Sequence, residues 1–292
     1  MTKIPVLLDT DIGSDIDDAV ALAYLLKKPQ CELVGITTVS GDVQKRAALA
    51  EAICHSVGRN HIPIHCGRRD VLIDGPGQPG APQFEAIAHT HPRLDRPEND
   101  AVRFLQHTIR SRPGEITLLT IGPYSNAAIL FALDPEIPHL LKSIVSMGGI
   151  FYAGDQKEWN ALADPAATAV VYKANRRDHL SVGLDVTLKC RMPAEEVRSR
   201  FTSEPLLTVA NMAETWFKHT GEITFHDPLA ATLIFHPELC TYESGRVQVA
   251  YGVGDSASGH TKLIPGPGPD RVAKTVDVQG FFNEYFNVVH SA

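Results

Sequence analysis

Cysteine is scarce in this chain, and what there is lies scattered. Cys31, Cys54, Cys66, Cys190 and Cys240 are odd in number, and no two stand in C-x-x-C spacing. That excludes a compact zinc or redox motif and a dense disulfide framework, and all five read as reduced, small hydrophobic residues. Long apolar runs are missing too: stretches such as Ala19–Leu26 and Ile116–Ile121 fall far short of the roughly 20 residues that span a bilayer. Positive charge is in deficit. With 27 Lys and Arg against 34 Asp and Glu, the net charge is −7, which gives no cationic footprint for nucleic acid or an anionic membrane. No G-x-x-x-x-G-K-[ST] loop occurs, so a P-loop nucleotide site is excluded. The opening Met1-Thr2-Lys3-Ile4-Pro5 has neither the apolar core nor the small-residue cleavage site of a secretion signal, and the expectation is a cytoplasmic protein.

What is present is ordinary globular composition, 43% hydrophobic and 21% charged over 292 residues. β-rich runs alternate with helical ones. Strands are expected at Pro5–Thr10, Glu32–Val39, Pro63–Cys66, Ile116–Ile121, Ser143–Met147 and Leu180–Leu184. Helices are expected at Asp17–Lys28, Gln44–Val57, Ser125–Leu133, Asp164–Ala174, Asp227–Phe235 and Gly280–Val289. Strand–helix–strand alternation predicts an α/β fold: one Rossmann-like open sheet, mostly parallel, with helices on both faces, in a single domain spanning residues 1–292. The Gly/Pro-rich stretches Asp74–Pro82 and Pro265–Pro269 are too short for linkers and read as loops near the ends of the sheet. In such sheets ligands bind beyond the carboxyl ends of the strands, so chemistry is sought there.

The first strand runs into Asp9-Thr10-Asp11-Ile12-Gly13-Ser14-Asp15-Ile16-Asp17-Asp18, five carboxylates within ten residues. Like charges this close repel unless a cation or hydrogen bonds compensate them. Helix capping accounts for one or two, but not for Asp9 and Asp11 upstream. An all-oxygen donor set without Cys or His points to a hard cation, Ca²⁺ or Mg²⁺, over Zn²⁺. An EF-hand is excluded, because counting from Asp9 puts Ser14 where Gly is needed and Val20 where Glu is needed. A strand followed by Asp-x-Asp also opens the haloacid-dehalogenase-type phosphatases, but no second acidic pair follows; His226-Asp227-Pro228 is not one.

Asp9-x-Asp11-x-Gly13 with Asp17-Asp18-Ala19 after an apolar strand resembles the signature of the inosine–uridine-preferring nucleoside hydrolases. Six further segments follow in the family's order: Ile36–Asp42, Ile121–Asn126, Met147-Gly148-Gly149, Glu158-Trp159-Asn160, Val182–Asp185 and Phe225–Pro228. The resemblance implies a Ca²⁺-dependent enzyme, with one ion per subunit, that hydrolyses the N-glycosidic bond of ribonucleosides, and a homo-oligomer, dimer or tetramer. By similarity, Asp11 is general base and metal ligand, and Asp18, Asp227 and the backbone carbonyl of Ile121 complete the ligand set. Asp17, Glu158, Asn160 and Asp227 hold ribose hydroxyls, Met147 packs against the sugar, and His226 protonates the leaving base, a task suited to an ordinary imidazole at neutral pH. A protein of this fold that binds nucleoside without turning it over is the alternative from another class.

Each residue also has a plain structural role open to it. Asp227-Pro228 is a helix cap like Asp164-Pro165 and Asp134-Pro135. If residues 158–160 are extended, Glu158 and Asn160 face one way and Trp159 packs the other. The acidic loop is two residues longer than the family's usual form. An ungapped alignment puts Asp15 at the ribose and Ile16 at the metal; the gapped one gives those places to Asp17 and Asp18. Asp42 stands where many relatives carry Asn, in a position to touch the ribose site, and Asp155 where an Asn reaches the sugar's 5′ end. The loop Ala88-His89-Thr90-His91-Pro92-Arg93 reads as an active-site lid; for His89, His91 and Arg93 a surface position without a role is favoured over contact with the base or the 5′ substituent.

Overall fold

In the first strand, Val6 and Leu8 face one side of the sheet and Leu7 the other, and all three are fully buried. That pattern is what a central strand covered on both faces requires. A computed structural model, which describes residues 3–91, 96–97, 99–152, 154 and 156–291, shows how the rest follows. The strands are β1 (Ile4–Thr10), β2 (Cys31–Thr38), β3 (Ile64–Cys66), β4 (Thr117–Thr120), β5 (Ser143–Met147), β6 (His179–Val182), β7 (Arg191–Pro193), β8 (Glu222–Thr224), β9 (Cys240–Val249), β10 (Thr261–Pro265) and β11 (Asp270–Val276). The helices are α1 (Asp17–Lys27), α2 (Val43–Ser56), α3 (Ala101–Ser111), α4 (Ser125–Leu133), α5 (Ile137–Leu140), α6 (Trp159–Ala163), α7 (Pro165–Lys173), α8 (Leu184–Thr187), α9 (Ala194–Arg200), α10 (Leu206–Trp216), α11 (His226–Leu233) and α12 (Val278–Val289).

Nine strands form one sheet in the order β10-β9-β11-β6-β5-β4-β1-β2-β3. All the pairings from β3 through β1 and β4 to β6 and β11 are parallel, and only β9 runs against its neighbours. The mostly parallel sheet expected from the alternation is therefore present. Its antiparallel edge, β9–β11, was not read from the sequence. β7 and β8 pair separately in a two-stranded ribbon.

Two apolar clusters cover the sheet. Val6 and Leu8 belong to the one formed with α1, α2, α10, α11 and α12, and Leu7 to the one formed with α3, α4 and α7. From β1 the chain builds outward to β2 and β3, then returns to place β4 on the other side of β1. This reversal opens a crevice at the carboxyl ends of β1 and β4, the place where ligands bind in open α/β sheets. All five cysteines are free and buried. Among the described residues no helix is long and apolar enough to cross a membrane.

Candidate active site

Beyond β1 the chain does not enter α1 directly. It makes an irregular loop at residues 11–16 whose Gly13 has φ +121°, a conformation L side chains rarely adopt. The two residues that lengthen the loop are absorbed here. Ile16 is fully buried in the apolar core, while Asp17 and Asp18 open α1. The side chain of Ile16 therefore does not stand at the cavity, as the ungapped alignment would require.

Residues 11–18 form one wall of a cavity of about 670 Å³, within the range of small-molecule sites. Its lining includes Asp11, Asp15, Asp17, Asp18, Ile121, Met147, Glu158, Asn160, His226 and Asp227. Asp11 follows β1, Ile121 follows β4 and Met147 ends β5, so the parallel strands deliver them to one crevice. Asp227 comes from the first turn of α11. Its placement depends on Phe225, which is fully buried with its ring 5.2–6.1 Å from those of Phe281, Phe282 and Tyr285. The Asp227 backbone N–H donates to Asp17 Oδ2 at 3.0 Å, joining α11 to α1.

Carboxylate oxygens of Asp17, Asp18 and Asp227 lie within 4.8 Å of one another, and all three residues are buried. Oxygens that bind one Ca²⁺ at about 2.3–2.6 Å are separated by at most about 5 Å. The cluster thus fits a hard cation both in spacing and in donor chemistry. Burial weakens these acids, and repulsion among the carboxylates adds to it at Asp15, Asp17, Asp18 and Asp227: Asp11 and Asp15 are pushed up to about 6, and Asp17, Asp18 and Asp227 well above the usual carboxylate range. Asp18 also accepts the Thr10 hydroxyl. Asp9 points away from the cavity lining; its Oδ1 accepts from Thr37 Oγ1 at 2.6 Å and Asn126 Nδ2 at 2.8 Å, and burial pushes it up to about 7.

Several expectations need correction. Residues 158–160 are not extended: Glu158 caps α6, its Oε1 accepting from Asn160 N at 2.7 Å and its Oε2 from Gly149 N and Ala161 N at 2.9 Å. Trp159 is not packed away; it is 45% exposed and lines the cavity. The Asn160 amide donates to the carbonyls of Ile121 (3.0 Å) and Met147 (3.1 Å), which ties two strand ends together. Asp42 is absent from the cavity lining, and its carboxylate caps α2 by accepting from Lys45 N. A helix start needs an acceptor at that position, so capping takes the place of the expected sugar contact. His226 is not an ordinary imidazole, because burial pushes it down to about 4 and it is neutral at pH 7; its Nδ1 lies 2.7 Å from Thr187 Oγ1.

His89 and His91 do not line the cavity. Arg93 and Asp155 lie outside the described residues. Sequence reasoning missed Thr215, Trp216 and His219 on the lining and gave Leu184 no role beyond its segment Val182–Asp185. Nothing in α10 marks its last turn as part of a site, since its apolar spacing is that of any helix packed on a core.

The sequence matches the inosine-uridine preferring nucleoside hydrolase family over residues 6–283. The chain belongs to this family. It is 30% identical to the non-specific ribonucleoside hydrolase RihC of Escherichia coli over 302 residues, covering 96% of each protein. To the probable uridine nucleosidase 2 of Oryza sativa it is 28% identical, over 95% of this chain and 90% of that one. Among solved structures it superposes on a purine-preferring ribonucleoside hydrolase from Gardnerella vaginalis with a TM-score of 0.82 at 26% identity, covering 98% of both chains. A plant nucleoside hydrolase shares the fold, with a TM-score of 0.84 at 24% identity over 99% of both. This nucleoside hydrolase is accordingly an enzyme, and the phosphatase alternative falls away. The cavity just described, at the carboxyl ends of β1, β4 and β5, is where its acidic groups gather.

Proposed function

We propose that this nucleoside hydrolase cleaves the N-glycosidic bond of ribonucleosides with the help of one Ca²⁺ ion, releasing ribose and the free base. The observation that carries the reading is the convergence of Asp17, Asp18 and Asp227, from segments 210 residues apart, on one buried all-oxygen cluster inside a cavity of nucleoside size. Asp11, Asp18, Asp227 and the Ile121 carbonyl would hold the ion. When bound, Ca²⁺ supplies Lewis acidity, lowering the pKa of water and gripping sugar hydroxyls.

The protein's own groups account for the remaining steps. Asp11 takes a proton from the attacking water as general base. Asp17, Asp227, Glu158 and Asn160 orient the ribose, and Met147 lies against the sugar. As the glycosidic bond breaks, positive charge spreads over the ring, and the buried carboxylates stabilise it. With Nδ1 accepting from Thr187, the neutral His226 presents Nε2–H and hydrogen-bonds the leaving base, which takes its proton from water as the bond breaks. Trp159 and Trp216, also on the lining, provide apolar faces for the base. The active species is a homo-oligomer, dimer or tetramer, which light scattering reads directly.

The test is ribose release from a panel of purine and pyrimidine ribonucleosides, with and without chelator, for the native chain and Asp11→Ala. Turnover that both chelator and substitution abolish is expected. Calcium and nucleoside binding with no release from any nucleoside would overturn hydrolysis in favour of a binding role. Full activity in chelator would overturn the cation.

A further inference from the structure

Arg46, in the first turns of α2, is fully buried, which is unusual for an arginine. It lies beside an acidic cluster, yet among the described residues none of its hydrogen-bond acceptors is a carboxylate. Nε donates to Ser40 O at 2.7 Å. Nη1 donates to the carbonyls of Asp11 and Ile12, the latter at 3.0 Å, and reaches Ser14 Oγ at 3.2 Å. Nη2 donates to Gln78 O at 2.6 Å and Gly80 O at 2.9 Å. Six acceptors from three separate segments thus meet five N–H groups, which satisfies the fork completely.

Neutralising nearby charge would need only a cation somewhere near. Bonding to carbonyls sets backbone shape instead. With its carbonyl held on Arg46, Asp11 keeps its carboxylate on the cavity side. Gln78 and Gly80, held on the other amino group, line the same cavity beside the acidic loop. Independent bonds run the same way. Ser14 Oγ donates to Gly80 O at 3.0 Å, Gln83 N to Gly13 O at 3.2 Å, Gln83 Nε2 to Ser14 O at 3.0 Å and Gln78 N to Ser40 Oγ at 2.7 Å. The segment 77–83 is Pro/Gly-rich and would otherwise be the natural mobile cover of the site.

We infer that Arg46 is a positioning residue that joins the lengthened acidic loop 11–14 to the wall 78–80 as one rigid unit, formed before any ligand binds. The inference rests on the proposed function for its cation readout but not for its structural one. Arg46→Lys retains the charge, and its compact ammonium with three donors does not span both loops.

The experiment is amide hydrogen exchange on the full chain in chelator, followed by calorimetric Ca²⁺ titration. In the native protein the amides of Gln78 and Gln83 are expected to exchange as slowly as those of β1 and β4, without cation or nucleoside. In Arg46→Lys and Arg46→Met they exchange about 100-fold faster, the amides of β5 and α12 stay protected, and Ca²⁺ binds about tenfold more weakly or worse. Fast native exchange that slows only on ligand binding would overturn the inference, because the wall would then be a lid. So would a folded Arg46→Lys that matches the native chain in both readouts. If neither variant folds, the native measurement decides alone. A native chain that binds no Ca²⁺ contradicts the calcium reading, while its exchange still judges Arg46.

Discussion

Single carboxylates in this protein differ in role by what surrounds them more than by type. Asp227 stands in an Asp-Pro pair like Asp164, yet Asp164 is spent on Ala167 N, Leu72 N and the Ser125 hydroxyl, whereas the Asp227 carboxylate lies with those of Asp17 and Asp18 in one buried cluster. Asp227→Asn is therefore expected to weaken Ca²⁺ binding and kcat/KM by more than the about 10–100-fold typical of outer-shell groups. In chelator the same variant should be as thermally stable as the native chain or more so, since one repelling charge is gone. Calorimetric titration and melting curves with and without Ca²⁺ check both signs, and unchanged Ca²⁺ affinity would remove Asp227 from the ligand set.

At the element scale, helix starts carry the chemistry and apolar anchors place them. Phe225 fixes the start of α11 among Phe281, Phe282 and Tyr285. Phe225→Ala should cost about 3–5 kcal/mol in urea unfolding and also lower kcat/KM, because His226 and Asp227 follow it directly. Lost stability with intact activity would show that α11 is positioned otherwise. A second element junction gives a pH dependence away from the site. Asp134, after α4, is held at about 2 by Arg110 at 2.6 Å from α3, with Gln106 adding a hydrogen bond. A folded pKa below the unfolded value near 4 stabilises fully above about pH 4 and fades as pH falls toward 2. Arg110 is 44% exposed and also faces Glu136, so the effect is screened and modest. Asp134→Asn should lower the urea midpoint at pH 6, and the gap to the native chain should close between pH 4 and 2. A gap that stays constant over that range would rule out this ion pair as its cause.

For the whole molecule, the crowded carboxylates couple folding to the cation. Asp227 joins Asp11, Asp15, Asp17 and Asp18 only in the folded chain, so an ion that binds them together stabilises that state by mass action. Calcium at 100 times its dissociation constant should add about 2.7 kcal/mol, and chelator should remove it. Melting curves against Ca²⁺ concentration test this, with a flat series as the contrary result.

The elements that hold the site were legible because their signals are local. Apolar runs bounded by Gly marked β4 and β5, the apolar run leading into the aspartates marked β1, Asp-Pro marked α7 and α11, and the run of aspartates after β1 marked one wall of the cavity. That a site would lie beyond the carboxyl ends of the strands followed from the alternation, whereas the strand order that puts it between β1 and β4 came from the fold. What the tertiary structure alone decided depends on partners distant in the chain. Asp42 proved to be a cap, His226 lost its ordinary basicity through burial, Trp159 turned to the cavity instead of the core, and Trp216 at the end of a helix with no signature, with His219 in the turn after it, reached the lining. Arg46 shows the reason most directly. Its spacing in α2 is that of any surface arginine, and only the meeting of residues 11–14, 40 and 78–80 around it gives its guanidinium six acceptors and buries it completely.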